Sequence, residues 1–239
     1  MEPSLSVPRL RLLGQFRLEY QGAAVDVCVN GQRLLAFLAL RRRASRTVLA
    51  GALWPEVTEG RAHGSLRTTL WRLPCGKQEI IECGRDTLSI ADAVRVDVHA
   101  LADTALGVVL APKAFGDSAA LLGLLGGGDL LPGWDEEWVL AERERLRQLR
   151  LHALDTLAEQ LARQGRPALG LEAALTSVRI EPLRESAHRA VVSAHLAEGN
   201  VAEAVRHYHA FRRLLREELG VEPSHRFATM LPPVCHDEA

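Results

Sequence analysis

Residues 59–76 read EGRAHGSLRTTLWRLPCG. Wound at about 100° per residue, Ala62, Leu66, Leu70 and Leu73 fall together as one apolar stripe, and a stripe of that kind needs a core beneath it. Arg61, Gly64, Ser65, Thr68 and Arg72 take the far side with Arg67 on its flank, so the outward face carries guanidinium and hydroxyl groups and no carboxylate. Thr58 stands at the N-cap position, Glu59 suits the positive end of the helix dipole, and Pro74 stops the helix. Gly64 is about 1 kcal/mol worse than alanine inside a helix, and close approach to another backbone is one reason to keep it. Trp71 points away from the stripe and is expected to pack beneath a neighbouring hairpin rather than lie bare.

Working outward, residues 10–29 alternate apolar and other residues through Leu10, Leu12, Phe16 and Leu18, then Val25, Val27 and Val29, with Gln21 and Gly22 between the runs. Period two around a turn predicts antiparallel strands joined by a hairpin. Residues 32–43 switch to helical spacing through Leu34, Leu35, Leu38 and Leu40, and Ser45 is placed to cap a short second helix, RTVLAGALW, that Pro55 closes. Residues 79–96 return to strands through Ile80, Ile81, Leu88, Ile90, Val94 and Val96, with Gly84, Arg85 and Asp86 at a turn. Strands, three helices and a hairpin, in that order, make a winged helix whose third helix is the stretch quoted above. Such a helix, reached through a short helix and a tight link, fits the DNA major groove.

The charge agrees with that use. The 239-residue chain carries a net −1, yet residues 1–98 hold 14 Lys+Arg against 10 Asp+Glu, a surplus of four positive charges, and the remainder has a surplus of five negative ones. Between residues 33 and 72 eight arginines face only Glu56 and Glu59. A local excess of this kind is the footprint of a polyanion partner, the plain alternative being a solvated arginine-rich face. Arg42, Arg43 and Arg46, with Arg41, are expected to clamp phosphates, and Arg85 at the wing tip to reach the minor groove or its phosphates.

Chemistry of other kinds is not signalled. The chain lacks GxxxxGK[ST], HExxH and GxSxG, and GGGD at 126–129 has neither a preceding strand nor a following lysine, so it reads as a flexible linker. Cys28, Cys75, Cys83 and Cys235 form no CxxC pair, and His207 and His209 sit on opposite sides of a helix, so no metal, cofactor or enzymatic activity is expected. No run of about 18 apolar residues occurs and the N-terminus does not resemble a signal peptide, which predicts a cytoplasmic protein associated with the nucleoid and not with membrane.

The second half reads as helices. Residues 134–163 form one long helix that Gly165 and Arg166 break, and a short helix is expected around Ser118–Leu125. The run LAEQLARQGRPA at 157–168 aligns with VVSAHLAEGNVA at 191–202 at a shift of 34, placing Gly165 over Gly199 and Ala168 over Ala202. Thirty-four residues is the tetratricopeptide period, with small residues expected where paired helices touch. The expected division is therefore 1–98, a winged-helix DNA-binding domain, and 99–239, an all-α tetratricopeptide-like domain.

Taken in order, LRLLGQFRLEYQG, GQRLLAFLALRRR, LAGALWPEV, HGSLRTTLWRL, GRDTLSI with VRVDVHAL, GDLLPGWDEEWVLAERERLRQLRLHAL and LREELGVEPS resemble the SARP family, the antibiotic regulatory proteins of actinobacterial type. The resemblance implies an OmpR-type winged helix-turn-helix followed by a bacterial transcriptional activation domain. It implies binding to direct repeats in double-stranded promoter DNA, self-association on those repeats, and recruitment of RNA polymerase holoenzyme to antibiotic biosynthesis genes. Carried over by position, the recognition face is Arg61, Ser65, Arg67, Thr68 and Arg72. The competing readings are a DNA-binding repressor and a protein-interaction adaptor acting through the helical repeats.

Overall fold

A computed structural model describes residues 7–73, 80–110 and 118–231, which leaves Pro74, Cys75 and Cys235 outside the described residues. The chain forms two compact units, Met1–Leu101 with Gly127–Leu146, and Ala102–Gly126 with Arg147–Ala239.

The first unit opens with β1 (Arg9–Arg11), β2 (Arg17–Tyr20) and β3 (Ala23–Val25), the last two joined by the expected turn at Gln21 and Gly22. Leu10 pairs with Leu18, and Leu18 with Val25, so the apolar alternation lies on one face, where Leu10 and Leu18 are buried. Helices α1 (Val29–Arg41), α2 (Arg46–Leu53) and α3 (Glu59–Arg72) follow. Ser45 Oγ accepts from Val48 N at 3.2 Å, so the predicted cap is made. Between α1 and α2 lies a strand the periodicity does not reveal, β4 (Arg43–Ser45), reached through Arg42 in the left-handed region at φ 62°. It completes a three-stranded sheet with β5 (Ile81–Cys83) and β6 (Thr87–Ile90), in the order β4-β6-β5. The final strand, β7 (Arg95–Val96), leaves the wing and pairs parallel with β1 in the first sheet, ordered β3-β2-β1-β7.

The glycine-rich run does not behave as the expected free linker. Gly14 N donates to Asp129 O at 2.8 Å and Leu131 N to Leu12 O at 2.9 Å, which lays residues 129–131 along the end of β1. A Cβ on Gly128 would stand 3.1 Å from the backbone of Gly14, so the glycine permits the approach. Two carbonyls of this segment, together with that of Trp134, are held by Arg143, whose Nε donates to Leu130 O at 2.8 Å and whose Nη2 donates to Leu131 O at 2.6 Å and Trp134 O at 3.0 Å. Leu131 is fully buried at φ 41°, a conformation that costs a non-glycine residue of order 1 kcal/mol and is held by these bonds. Glu136 receives Arg33 Nε of α1 at 2.7 Å, and Trp138 packs edge-on against Phe37 at 5.1 Å.

Helices α4 (Asp97–Leu110) and α6 (Glu137–Arg163) each run across the division between the units. The second unit adds α5 (Ser118–Leu125), α7 (Pro167–Ile180), α8 (Glu185–Ala197), α9 (Val201–Leu219) and the short α10 (His225–Ala228). Helix α7 packs on α8 and α8 on α9. Gly165 and Gly199, 34 residues apart, both turn the chain at positive φ, 73° and 78°, as the alignment requires of glycine. The small contact residues are not the expected Ala168 and Ala202, which are exposed, but lie two positions on. There Gly170 leaves only 3.0 Å between a would-be Cβ and Ala158 O, and Ala204 is fully buried. The fold is a winged helix-turn-helix followed by a tetratricopeptide-like all-α array.

Candidate nucleic-acid interface

Helix α3 buries Ala62, Leu66 and Leu73, as its stripe predicts, while Thr69 is buried more deeply than Leu70. Thr69 tolerates this because its Oγ1 donates to Ser65 O at 2.8 Å, closing the hydroxyl on its own helix. The end of α3 is set by α1, for a Cβ on Gly31 would meet Val27 Cγ1 at 2.7 Å and Leu73 Cδ2 at 3.1 Å. Thr58 occupies the N-cap but makes no side-chain bond, and Glu59 instead lies 3.8 Å from His63.

The opposite side stays open. Arg61, Arg67, Thr68 and Arg72 are exposed, and Arg61, Gly64, Ser65, Thr68 and Arg72 line one hollow of about 450 Å³, with Arg67 outside it. Thr68 Oγ1 donates to Gly64 O at 3.0 Å, which leaves its lone pairs free to accept. Above Gly64, among the described residues, the nearest neighbour of a would-be Cβ is Arg67 Nη2 at 4.0 Å, so no packing among them explains the glycine. The same hollow takes in Asn30 at the start of α1 and Val57 before α3, residues about thirty positions apart whose juxtaposition no local pattern signals. Trp71 does not pack under the wing: it is 78% exposed, beside the arginines.

The remaining arginines gather on the wing sheet. Strand β4 pairs with β6, Arg43 opposite Ser89 and Ser45 opposite Thr87, and Arg46 N donates to Asp86 O at 2.9 Å. Arg43 and Arg85 thus belong to one small sheet and its turn, and Arg46, the first residue of α2, is tied to that turn through its backbone. Arg42 and Arg43 line a different hollow with Glu82 and Asp92, where a phosphate would compete with carboxylates. Among the described residues none of Arg42, Arg43, Arg46, Arg61, Arg67, Arg72 and Arg85 has an ion-pair partner. Among the described residues, likewise, no group of three His, Cys, Asp or Glu is arranged to hold a metal, and no helix is long and apolar enough to cross a membrane.

Residues 118–231 match the bacterial transcriptional activator domain family. The chain is 29% identical over 233 residues to the regulatory protein AfsR of Streptomyces coelicolor, covering 90% of this chain and 23% of AfsR. It is 30% identical over 242 residues to AfsR of Streptomyces griseus, covering 93% and 24%. The chain therefore spans about a quarter of the length of these relatives. Among solved structures, Mycobacterium tuberculosis EmbR, determined in complex with a low affinity phosphopeptide, superposes with a TM-score of 0.73 at 17% identity over 95% of this chain and 66% of that one, a likeness of fold. Residues 118–231 thus carry a bacterial transcriptional activator domain behind a winged helix, and nearly the whole chain is similar to transcriptional regulators of SARP type.

Proposed function

We propose that the chain binds promoter DNA sequence-specifically through α3 and the wing, and activates transcription by engaging RNA polymerase through its helical residues. The observation that carries the reading is the unpaired cationic face of α3. Arg61, Arg67 and Arg72 stand beside Ser65 and Thr68 with no carboxylate paired to them among the described residues, although a folded surface ordinarily interleaves both signs. Arginine reads guanine O6 and N7 bidentately, and hydroxyls reach phosphates or base edges. Arg42, Arg43, Arg46 and Arg85 supply phosphate contacts that fix register without reading sequence. The functional division near residue 98 follows the charge, DNA on the positive side and protein partners on the negative. Two copies on a direct repeat, control of antibiotic-type biosynthesis genes and a cytoplasmic location at the nucleoid complete the reading.

The test is a gel-shift titration across salt followed by transcription with purified polymerase. Binding is expected to weaken steeply as salt rises, because neutralised phosphates release counterions. Arg67→Ala and Arg72→Ala are each expected to cost about 1 to 3 kcal/mol where they meet base edges, or to weaken all sequences alike where they meet phosphate. Unchanged affinity in both variants, with the helical circular dichroism intact, removes α3 from the reading role. Binding that lowers transcription identifies a repressor.

A further inference from the structure

A second set of unpaired cations belongs to the helical unit, which contains none of the residues assigned to DNA. One face of α8 repeats Ser186, Arg189, Ala190, Ser193 and Ala194, and the C-terminal half of α6 presents Asp155, Ala158, Glu159, Ala162 and Arg163 to the same groove. Arg226 of α10 and Met230 close one end, and the groove holds about 520 Å³, the size that takes a few side chains of a bound segment. Alanine, serine and glycine form most of its floor, so a peptide backbone can approach closely.

The charges in the groove are not balanced in the way their number suggests. Asp155 is already saturated: it accepts from Arg184 Nε and Nη2 at 3.0 and 2.9 Å, from Ser186 Oγ at 2.7 Å and from Ser177 Oγ at 3.2 Å. Glu159 is taken by Arg163 Nη2 at 2.9 Å. Arg189, half-buried, and Arg226, exposed, have no ion-pair partner among the described residues. The backbone that carries Arg226 is fixed, because the neighbouring Phe227 is fully buried against Phe211 and Tyr208, and Ser224 N donates to Glu185 at 2.8 Å. Two guanidinium groups without an ion pair among the described residues, in a groove rich in small residues whose own Asp155 and Glu159 are engaged, complement carboxylates brought by another molecule.

We infer that this groove captures an acidic segment of a partner protein, its carboxylates pairing with Arg189 and Arg226. The inference deepens the reading of the helical residues as the partner-binding part and rests on it, but its test does not pass through DNA or transcription. A fluorescein-labelled peptide made only of Glu, Asp and Leu is titrated with the full chain by anisotropy. Saturable binding is expected, weakened about tenfold or more by Arg189→Glu with Arg226→Glu and by Ser193→Trp, which fills the groove without changing charge. Arg206→Glu, on α9 outside the groove, is expected to leave binding unchanged. Equal binding by wild type and the two groove variants overturns the inference, as does an absence of binding. Displacement of the peptide from the groove by a single-stranded oligonucleotide, lost in the same variants, overturns it in favour of a nucleic-acid site. Failure of the full chain to activate transcription, with peptide capture intact, removes the polymerase reading and leaves the groove standing.

Discussion

At the scale of single residues, Gly64 and His207 make opposite demands on stability. Gly64 lies mid-helix with open space above it, so Gly64→Ala is expected to stabilise the chain by about 0.5 to 1 kcal/mol while weakening DNA binding, because the methyl group occupies the approach. A thermal melt and a gel shift on the one variant measure both, and a stabilised variant with undiminished affinity would show that no backbone comes near. His207, half-buried, lies against the buried His188, with His207 Nε2 and His188 Nδ1 2.9 Å apart. His188 Nε2 donates to Pro182 O at 2.8 Å and its ring stacks on Phe211 at 3.9 Å, which leaves Nδ1 to accept from His207 Nε2, and burial holds His188 below the usual histidine range. Burial, then the neighbouring His188 and His195, push His207 down to about 4. The unfolded chain therefore binds the proton first: stability is full above about pH 6.5 and falls as pH drops toward about 4. Melting temperatures across that window are expected to fall for wild type and less for His207→Gln, whose amide still donates to His188; equal falls would place the acid sensitivity elsewhere. The cationic side of α3 is written in the sequence because helical period sorts it locally. Trp71's exposure and the nearness of Asn30 depend on what other elements leave uncovered, which no local period encodes.

Among the elements, those with a long internal period were legible and those defined by a partner were not. Helices α1, α2, α3, α5 and α6 follow from apolar spacing, Ser45 and the turn glycines. Strand β4, three residues long, exists because β6 pairs with it, and residues 43–45 carry too few side chains to show a period. The glycine-rich run was misread for the same reason, since Gly128 is spent on approaching Gly14, 114 positions earlier in the chain, and not on flexibility. Arg143 is the element-scale test of that docking. Arg143→Ala removes a donor from three carbonyls, two of them on buried leucines, although Leu131 O keeps Trp134 N at 3.1 Å, and is expected to cost about 1.5 to 3 kcal/mol, read as a lowered midpoint in urea. An unshifted midpoint would mean that the segment is held by Leu130, Leu131 and Trp138 alone.

For the whole molecule, charge and compactness divide the chain differently. The charge changes sign near residue 98, yet Gly127–Leu146 belongs to the same compact unit as the winged helix. A fragment of residues 1–146 is accordingly expected to melt higher than one of residues 1–98, which lacks Leu130, Leu131, Trp134 and Trp138. The longer fragment is expected to bind the same DNA and, at equal promoter occupancy, to give no activation in vitro. Activation by the fragment would move polymerase contact into the winged-helix unit. The chain passes between its units at 101/102, 126/127 and 146/147, and the first and last of these fall inside α4 and α6. Recombination between related regulators therefore finds no single crossover point here: a chimera that exchanges DNA specificity must take two separate stretches from one parent and splice them in mid-helix, so the DNA-reading part and the partner-binding part are inherited as one piece.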